Sequence, residues 1–352
     1  MAETAEIQTK SSAAKADSRW QFLAGLRFLL AMVVVAGHMT WFQPPKSAPP
    51  FLQLLGGTSA VLGFLIVSGY SIGHSLQRRP VGFFQRRVLR IYPLYVTAVL
   101  YALLPFVFLP GMRVLPTLSP DVIIPRPAAW VVVGNLLMLQ NLVCPPIDSN
   151  MLVWTLGIEV ICYLLAPLFR RMHTILLVML VLISAAGYGW LYPHLVRRGY
   201  GHYATLSHGL PLLMFAWAWI AGFLLHQFRN SIFVGIAICL LGIGLLKLNR
   251  EYEAPYSIEC FAGAVIVVTL APWVRLPRRI GGILNYLGDL SYPVYLFHLP
   301  TFLLGYCILN VENVNSLLAM ALACSAAFLF IESILKPVIT ATWSREKVPT
   351  AG

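Results

Sequence analysis

Charge is scarce in this chain: Asp, Glu, Lys and Arg together make up 11% of its 352 residues, against about a quarter in soluble domains. Apolar residues make up 59% and mean hydropathy is +0.76, which excludes a water-soluble fold and makes the bilayer the main solvent. The signatures of familiar soluble enzymes are missing too: there is no P-loop, no dinucleotide-binding glycine fingerprint and no G-x-S-x-G nucleophile elbow. No H-E-x-x-H spacing occurs, and His74, His173, His194, His202, His208 and His226 fall near the ends of apolar runs or between them, so no metal centre is expected. The six cysteines (Cys144, Cys162, Cys239, Cys260, Cys307, Cys324) are far apart, without a C-x-x-C pair, and read as small packing residues. The net charge of +12 does not announce a nucleic-acid partner, because the basic residues cluster between apolar runs instead of along one amphipathic face.

What is present is a series of eleven apolar runs, near 20–42, 53–76, 91–110, 128–143, 152–169, 172–192, 207–226, 231–248, 257–274, 282–309 and 314–340. In lipid only helices and closed barrels satisfy their backbone, and runs this long specify helices. The first run is too long for a signal peptide and no small-residue cleavage site follows it, so residues 1–18 read as a polar cytoplasmic tail before a retained span. Charge settles the odd number of runs. With Lys10, Lys15 and Arg19 inside, the cluster Arg78, Arg79, Arg86, Arg87 and Arg90 is inside as well, as the positive-inside rule requires. Counting 128–143 as a span would then put Arg170, Arg171, Arg275, Arg278 and Arg279 outside. That run is only about 16 residues long and is bracketed by Pro125, Pro127, Pro145 and Pro146, which suits a segment that re-enters from the outer side. Of the 25 lysines and arginines, only Lys46, Arg113, Arg126, Arg197, Arg198, Lys247 and Arg250 then lie outside, and Arg27 lies in a span. The acidic stretches with Glu251, Glu253 and Glu312 move outside. The expected fold is an all-α integral membrane protein of about ten transmembrane helices plus a re-entrant segment near 128–143. Its one transmembrane domain covers 19–340, the short tail 341–352 is cytoplasmic, and no internal repeat is evident.

Ionisable side chains inside spans are costly, so each is a candidate for function. Eleven residues apart, Arg27 and His38 return to within about 20° of one helical face after roughly 16 Å of rise. They either line one tunnel, Arg27 toward the cytoplasm and His38 toward the outer end, or are a snorkelling arginine and an interfacial histidine. Arg87 and Arg90 stand one turn apart where a span begins, with Arg86 adjacent, a spacing that suits bidentate grip on phosphate; for Arg78 and Arg79 plain topology is the simpler reading. Glu159, in the outer half of its span, needs a proton or a cationic partner. His298 falls near mid-membrane on a helix that Pro293 is expected to bend, as a packing group or a participant. Gly69 admits either a close ligand or a close helix.

Taken together, from about Trp20 to Pro337, these residues resemble the acyltransferase-3 family of membrane O-acyltransferases. The resemblance rests on Arg27-x10-His38, on FLIVSGY from Phe64 through Ser68, Gly69 and Tyr70, and on Arg87-x-x-Arg90 followed by IYPLY. It continues with WTLGIE from Trp154 to Glu159 plus Tyr163, and with Ser291-Tyr292-x-x-Tyr295-x-x-His298. Where the family usually shows two consecutive acids, this chain has Glu159 followed by Val160.

The resemblance implies transfer of an acyl group, most often acetyl, from cytoplasmic acyl-CoA to a hydroxyl of a sugar or sugar-containing molecule. It implies His38 as the essential histidine and Arg27, Arg87 and Arg90 as functional arginines. Acyl-CoA would be a co-substrate and no cofactor would be held permanently. The acceptor would be a carbohydrate or glycolipid, and the location a bacterial plasma membrane. No fused esterase-like domain is expected after the last span, so the chain would finish the transfer itself or work with a partner protein of polysaccharide synthesis. In this scheme His38 is a general base on the acceptor hydroxyl, oriented by Glu159 or His298. The rival reading is a transporter of a glycan or anionic intermediate whose buried charges line a permeation path.

Overall fold

A computed structural model describes residues 2–42, 54, 56–109, 111–113, 123–199 and 203–345; Lys46 and Lys347 lie outside these residues. The long helices are α1 (Ala2–Met39), α2 (Gly57–Arg78), α3 (Phe83–Tyr101), α6 (Trp154–Phe169), α7 (Thr174–Ala186), α9 (Leu210–Gln227), α10 (Ile232–Leu248), α11 (Ser257–Leu270), α12 (Arg278–Cys307) and α13 (Val314–Arg345). Short pieces join them: α4 (Pro105–Phe108), α5 (Ala129–Leu136), α8 (Tyr192–Arg197), and a two-stranded antiparallel hairpin of β1 (Gly111–Arg113) and β2 (Ile123–Pro125). The hairpin was not anticipated from the sequence. The segment expected as a polar tail is helical from Ala2 onward.

The protein is a helical membrane protein. Among the described residues, seven helical segments are long and apolar enough to cross a membrane, fewer than the ten expected. The shortfall has a physical reason. α10 and α11 are apolar but shorter, and α12, although 30 residues long, begins with Arg278 and Arg279 and interrupts its apolar half with Ser291, Tyr292, Pro293, Tyr295, His298 and Pro300.

Protein encloses 72% of the spans of α2 and α9 but only 17% of that of α13, so the first two form the centre and α13 the periphery. α2 packs on α9, α1, α11 and α6, while α12 packs on α1 and α13. At the α2–α9 crossing two glycines face each other's backbones. A Cβ on Gly69 would overlap the Trp219 carbonyl oxygen and lie 2.9 Å from the Phe223 nitrogen; one on Gly222 would overlap the Ile66 carbonyl oxygen. Of the two readings left open for Gly69, close helix packing is therefore what the structure shows. With no hydrophobic drive between helices in lipid, such contact is what holds them together.

The run near 128–143 does not form a span-length helix. α5 has 8 residues, about 12 Å at helical rise, against a hydrocarbon core of about 30 Å. Beyond it the backbone turns at Met138 (φ 57°) and Asn141 (φ 65°). Protein groups satisfy this irregular stretch. The Asn135 amide donates to the carbonyls of Val131 (2.8 Å) and Pro145 (2.9 Å) and accepts from the Ile147 N–H (3.3 Å). Gln140 donates to the Val153 carbonyl (2.8 Å), Asn141 to those of Ala204 (2.9 Å) and Leu206 (2.7 Å), and the Tyr95 hydroxyl to that of Asn135 (2.6 Å). Non-helical backbone at membrane depth is tolerated only when satisfied in this way.

α12 runs through Pro293 and Pro300 as one helix. Proline at 300 has no N–H for the Leu296 carbonyl, and the Asn150 side chain supplies the missing donor at 3.0 Å. The Tyr295 hydroxyl meets Thr155 (2.8 Å) and the Leu152 carbonyl (3.1 Å), and Tyr292 donates to the Ile91 carbonyl (3.0 Å). α12 is thus fixed to α3 and to the start of α6 within the two turns that precede His298.

Candidate active site

Two polar centres sit toward opposite ends of the apolar segment Ser18–Phe42, which is formed mostly by α1. At one end is a cavity of about 480 Å³ whose walls are α1 (Trp20, Leu23, Arg27), α2 (Ser71, His74, Ser75, Arg78), the following Arg79, and α3 (Arg86, Arg87, Arg90). Spacings of three and four put Ser71, His74, Ser75 and Arg78 on one stripe of α2 and Arg87 with Arg90 on one stripe of α3. Six guanidinium groups line this cavity and no carboxylate does. Among the described residues Arg27, Arg87 and Arg90 make no ion pair, and the Nε atoms of Arg27 and Arg87 are buried without a hydrogen-bond partner. Cations left so under-compensated at low dielectric are arranged for a polyanion. Asp289 and Glu159 act on Arg27 from outside the lining, and Arg90 acts on it from within; Asp289 stands alone on α12 without a motif that would mark it in the sequence.

At the other end is a pair of histidines. The His298 Nδ1 lies 2.7 Å from the Val294 carbonyl oxygen, and its Nε2 lies 3.2 Å from the His38 Nδ1. A carbonyl only accepts, so Nδ1 of His298 holds its proton and, in the neutral ring, Nε2 accepts from the Nδ1–H of His38. The basic lone pair of His38 is thereby placed on its Nε2. His298 is fully buried and His38 half-buried, so His38 is the more exposed member of the pair. Trp41 packs edge-on to the His38 ring with centroids 4.6 Å apart.

Between these centres Glu159 accepts from the Tyr163 hydroxyl at 2.9 Å, Tyr163 meets Ser68 at 3.0 Å, and the Trp219 indole N–H donates to Ser68 at 3.2 Å. Glu159 therefore pairs with a tyrosine and not with either histidine. Of the two groups considered for orienting His38, it is His298 that touches it. The remaining residues singled out by sequence make local contacts outside the two centres. Trp154 lies against Tyr203 and Phe215, Tyr70 against Trp20 and His226, and Ser291 bonds the Gly288 carbonyl of its own helix. The sequence missed Ser71, His74, Arg78, Arg79 and Arg86 as cavity residues. The i, i+3, i+4 stripe on α2 was the available signal, obscured because a cytoplasmic basic cluster is already explained by topology.

A further, half-buried acid lies beside the start of α2, at the histidine end of that helix. Glu253, in the segment between α10 and α11, accepts from Tyr188 (2.7 Å) and Ser257 (3.2 Å). Burial raises its pKa to about 7, opposed in part by those hydrogen bonds and one from Thr58. Folded protein thus keeps a proton that the unfolded chain releases near the ordinary value of 4.5. Stability is greatest below that value, falls as pH rises toward about 7, and stays low above it. Glu253→Gln is expected to stabilise the protein by at most about 3 kcal/mol at alkaline pH and to flatten this slope. Thermal unfolding on both sides of the window checks it; an unchanged slope would show that Glu253 is ionised throughout.

A family model described as an acyltransferase domain, the acyltransferase-3 model, matches residues 20–334. A protein of Komagataeibacter xylinus named as a membrane-bound transacylase, BcsY, is 26% identical over 332 residues, covering 87% of this chain and 79% of that protein. The acyltransferase MdmB of Streptomyces mycarofaciens is 24% identical over 361 residues, covering 90% and 89%. No solved structure matches significantly.

Proposed function

The chain belongs to the acyltransferase-3 family and is a membrane enzyme that transfers acyl groups, and from that premise we propose that it moves an acyl group, acetyl in the simplest case, from cytoplasmic acyl-CoA to a hydroxyl of a carbohydrate or glycolipid on the far side of a plasma membrane. The observation that carries this reading is the separation of an acid-free arginine cavity from a histidine pair along α1. Arg27, Arg87 and Arg90 hold the phosphates of the donor, which is consumed as a co-substrate. Its thin acyl-bearing arm follows the column that Ser68, Tyr163, Glu159 and Tyr295 form between the two centres. His38 takes the proton of the acceptor hydroxyl through Nε2 as oxygen attacks the thioester carbonyl, and the thiolate leaves with that proton. His298 holds the ring in the required tautomer and accepts from the Nδ1–H as charge develops.

Ten spans (α1, α2, α3, α6, α7 and α9 to α13), with α5 in a re-entrant segment, put both termini in the cytoplasm and agree with the distribution of positive charge. The transporter reading has no observation in its favour.

Arg87→Ala and Arg90→Ala are expected to raise KM for acetyl-CoA about tenfold or more each, with a smaller change in kcat, because each removes a charge-assisted contact worth about 1.5–3 kcal/mol. Steady-state kinetics in nanodiscs reads this. An unchanged KM for both variants would remove the donor from the cavity.

A further inference from the structure

The arginine cavity holds more positive charge than the two phosphates of a diphosphate require. Arg78 and Arg79 stand at the α2 end of the cavity, about 10 Å along the helix axis from Ser71 at its inner end. Neither side chain has an ion pair among the described residues. Their neighbour Arg86 is differently employed: its guanidinium donates to the carbonyls of Val81 (2.6 Å) and Arg79, on either side of Pro80 in the turn between α2 and α3. Arg86 therefore braces the turn, with Gly82 at φ 68°, and fixes where Arg78 and Arg79 are presented. The ligand-directed charges then form two groups. Arg27, Arg87 and Arg90 belong to α1 and α3, and Arg78 with Arg79 to the braced turn.

Resting on the acyl-CoA reading above, we infer that Arg78 and Arg79 form a second phosphate subsite, which recognises a phosphate monoester separate from the diphosphate, as on the ribose of a 3′-phosphoadenosine donor. A monoester carries about −1.5 to −2 charge near neutral pH, and two adjacent guanidinium forks match it. The subsite makes the enzyme selective for coenzyme A thioesters over acyl carriers that present phosphopantetheine alone, whose single diester leaves this cluster unneutralised. Arg86 acts as a positioning residue for it.

The test is thermal stabilisation of the full chain in zwitterionic nanodiscs by adenosine 3′-phosphate 5′-diphosphate and by adenosine 5′-diphosphate, for wild type and for R78Q/R79Q. Both side chains are exposed, so the double variant is expected to fold. Wild type should bind the 3′-phosphorylated diphosphate about tenfold tighter than the plain diphosphate, and the double variant should bind the two alike while keeping its affinity for the plain diphosphate. Equal binding of both nucleotides by wild type, or a preference that survives in R78Q/R79Q, overturns the subsite and leaves the acyl-CoA reading standing. Binding of neither nucleotide by wild type overturns both. A response to phosphatidylglycerol nanodiscs that needs Arg78 and Arg79, without discrimination between nucleotides, assigns the pair to lipid headgroups and overturns the proposal.

Discussion

Replacing His38 with alanine is expected to lower acyl transfer by about two to four orders of magnitude in kcat while leaving donor binding near wild type. The prediction follows from position and tautomer. His38 is the more exposed member of the pair, its Nδ1–H is committed to His298, and the arginine cavity proposed for the donor lies away from it along α1. His298→Ala should cost less, because it removes only the group that fixes the ring. The double variant should be no worse than His38→Ala alone, since the two act as one unit. The pH profile separates chemistry from structure: in His298→Ala the acidic limb of kcat/KM should move, whereas a purely structural loss would scale the whole profile. Full activity in a folded, inserted His38→Ala protein would sink the general-base assignment.

The second large effect concerns assembly. Gly69→Val and Gly222→Val each force a branched side chain into the backbone of the facing helix. Overpacking a rigid interior costs about 1–3 kcal/mol even where side chains can yield; here the obstacle is carbonyl oxygen and main-chain nitrogen. Loss of monodisperse protein on extraction in detergent is the expected outcome for either variant. Gly263→Ala on α11, where nothing lies within 4 Å of the added atom, should behave as wild type. If Gly69→Val melts like Gly263→Ala, the α2–α9 crossing is not the contact described.

How far this was legible in the sequence depends on the range of each interaction. The helical membrane character is written in composition, though the number of spans is not, and Arg27 with Arg87 and Arg90 can be assigned to one end of the bundle from helical period and positive-inside bias alone. The shortness of α5 is foreshadowed by the prolines around it. Pairing of His38 with His298 is a different matter: the two are far apart in sequence, and only the packing of α1 on α12 brings them together. Sequence alone leaves Glu159 a plausible partner for His38; in the fold Tyr163, one turn away on the same helix, takes that place. Arg78 and Arg79 were hidden for another reason, since a single charge can serve topology and a ligand at once and the first use already accounts for it. Asn150 shows the limit from the other side. A lone asparagine carries no signal until Pro300 leaves the Leu296 carbonyl without its helical donor.

The central claim is directional transfer, from a donor at the arginine end to an acceptor at the histidine end. Sealed proteoliposomes containing the wild-type chain, given acetyl-CoA with a labelled acetyl group on the Arg87 side only and a crude glycolipid acceptor on the other, test it most directly. The account predicts ester-linked label on the opposite face, lost with His38→Ala and reduced at limiting donor with Arg87→Ala. Label confined to the donor face, or transfer across the bilayer that persists without His38, would contradict it.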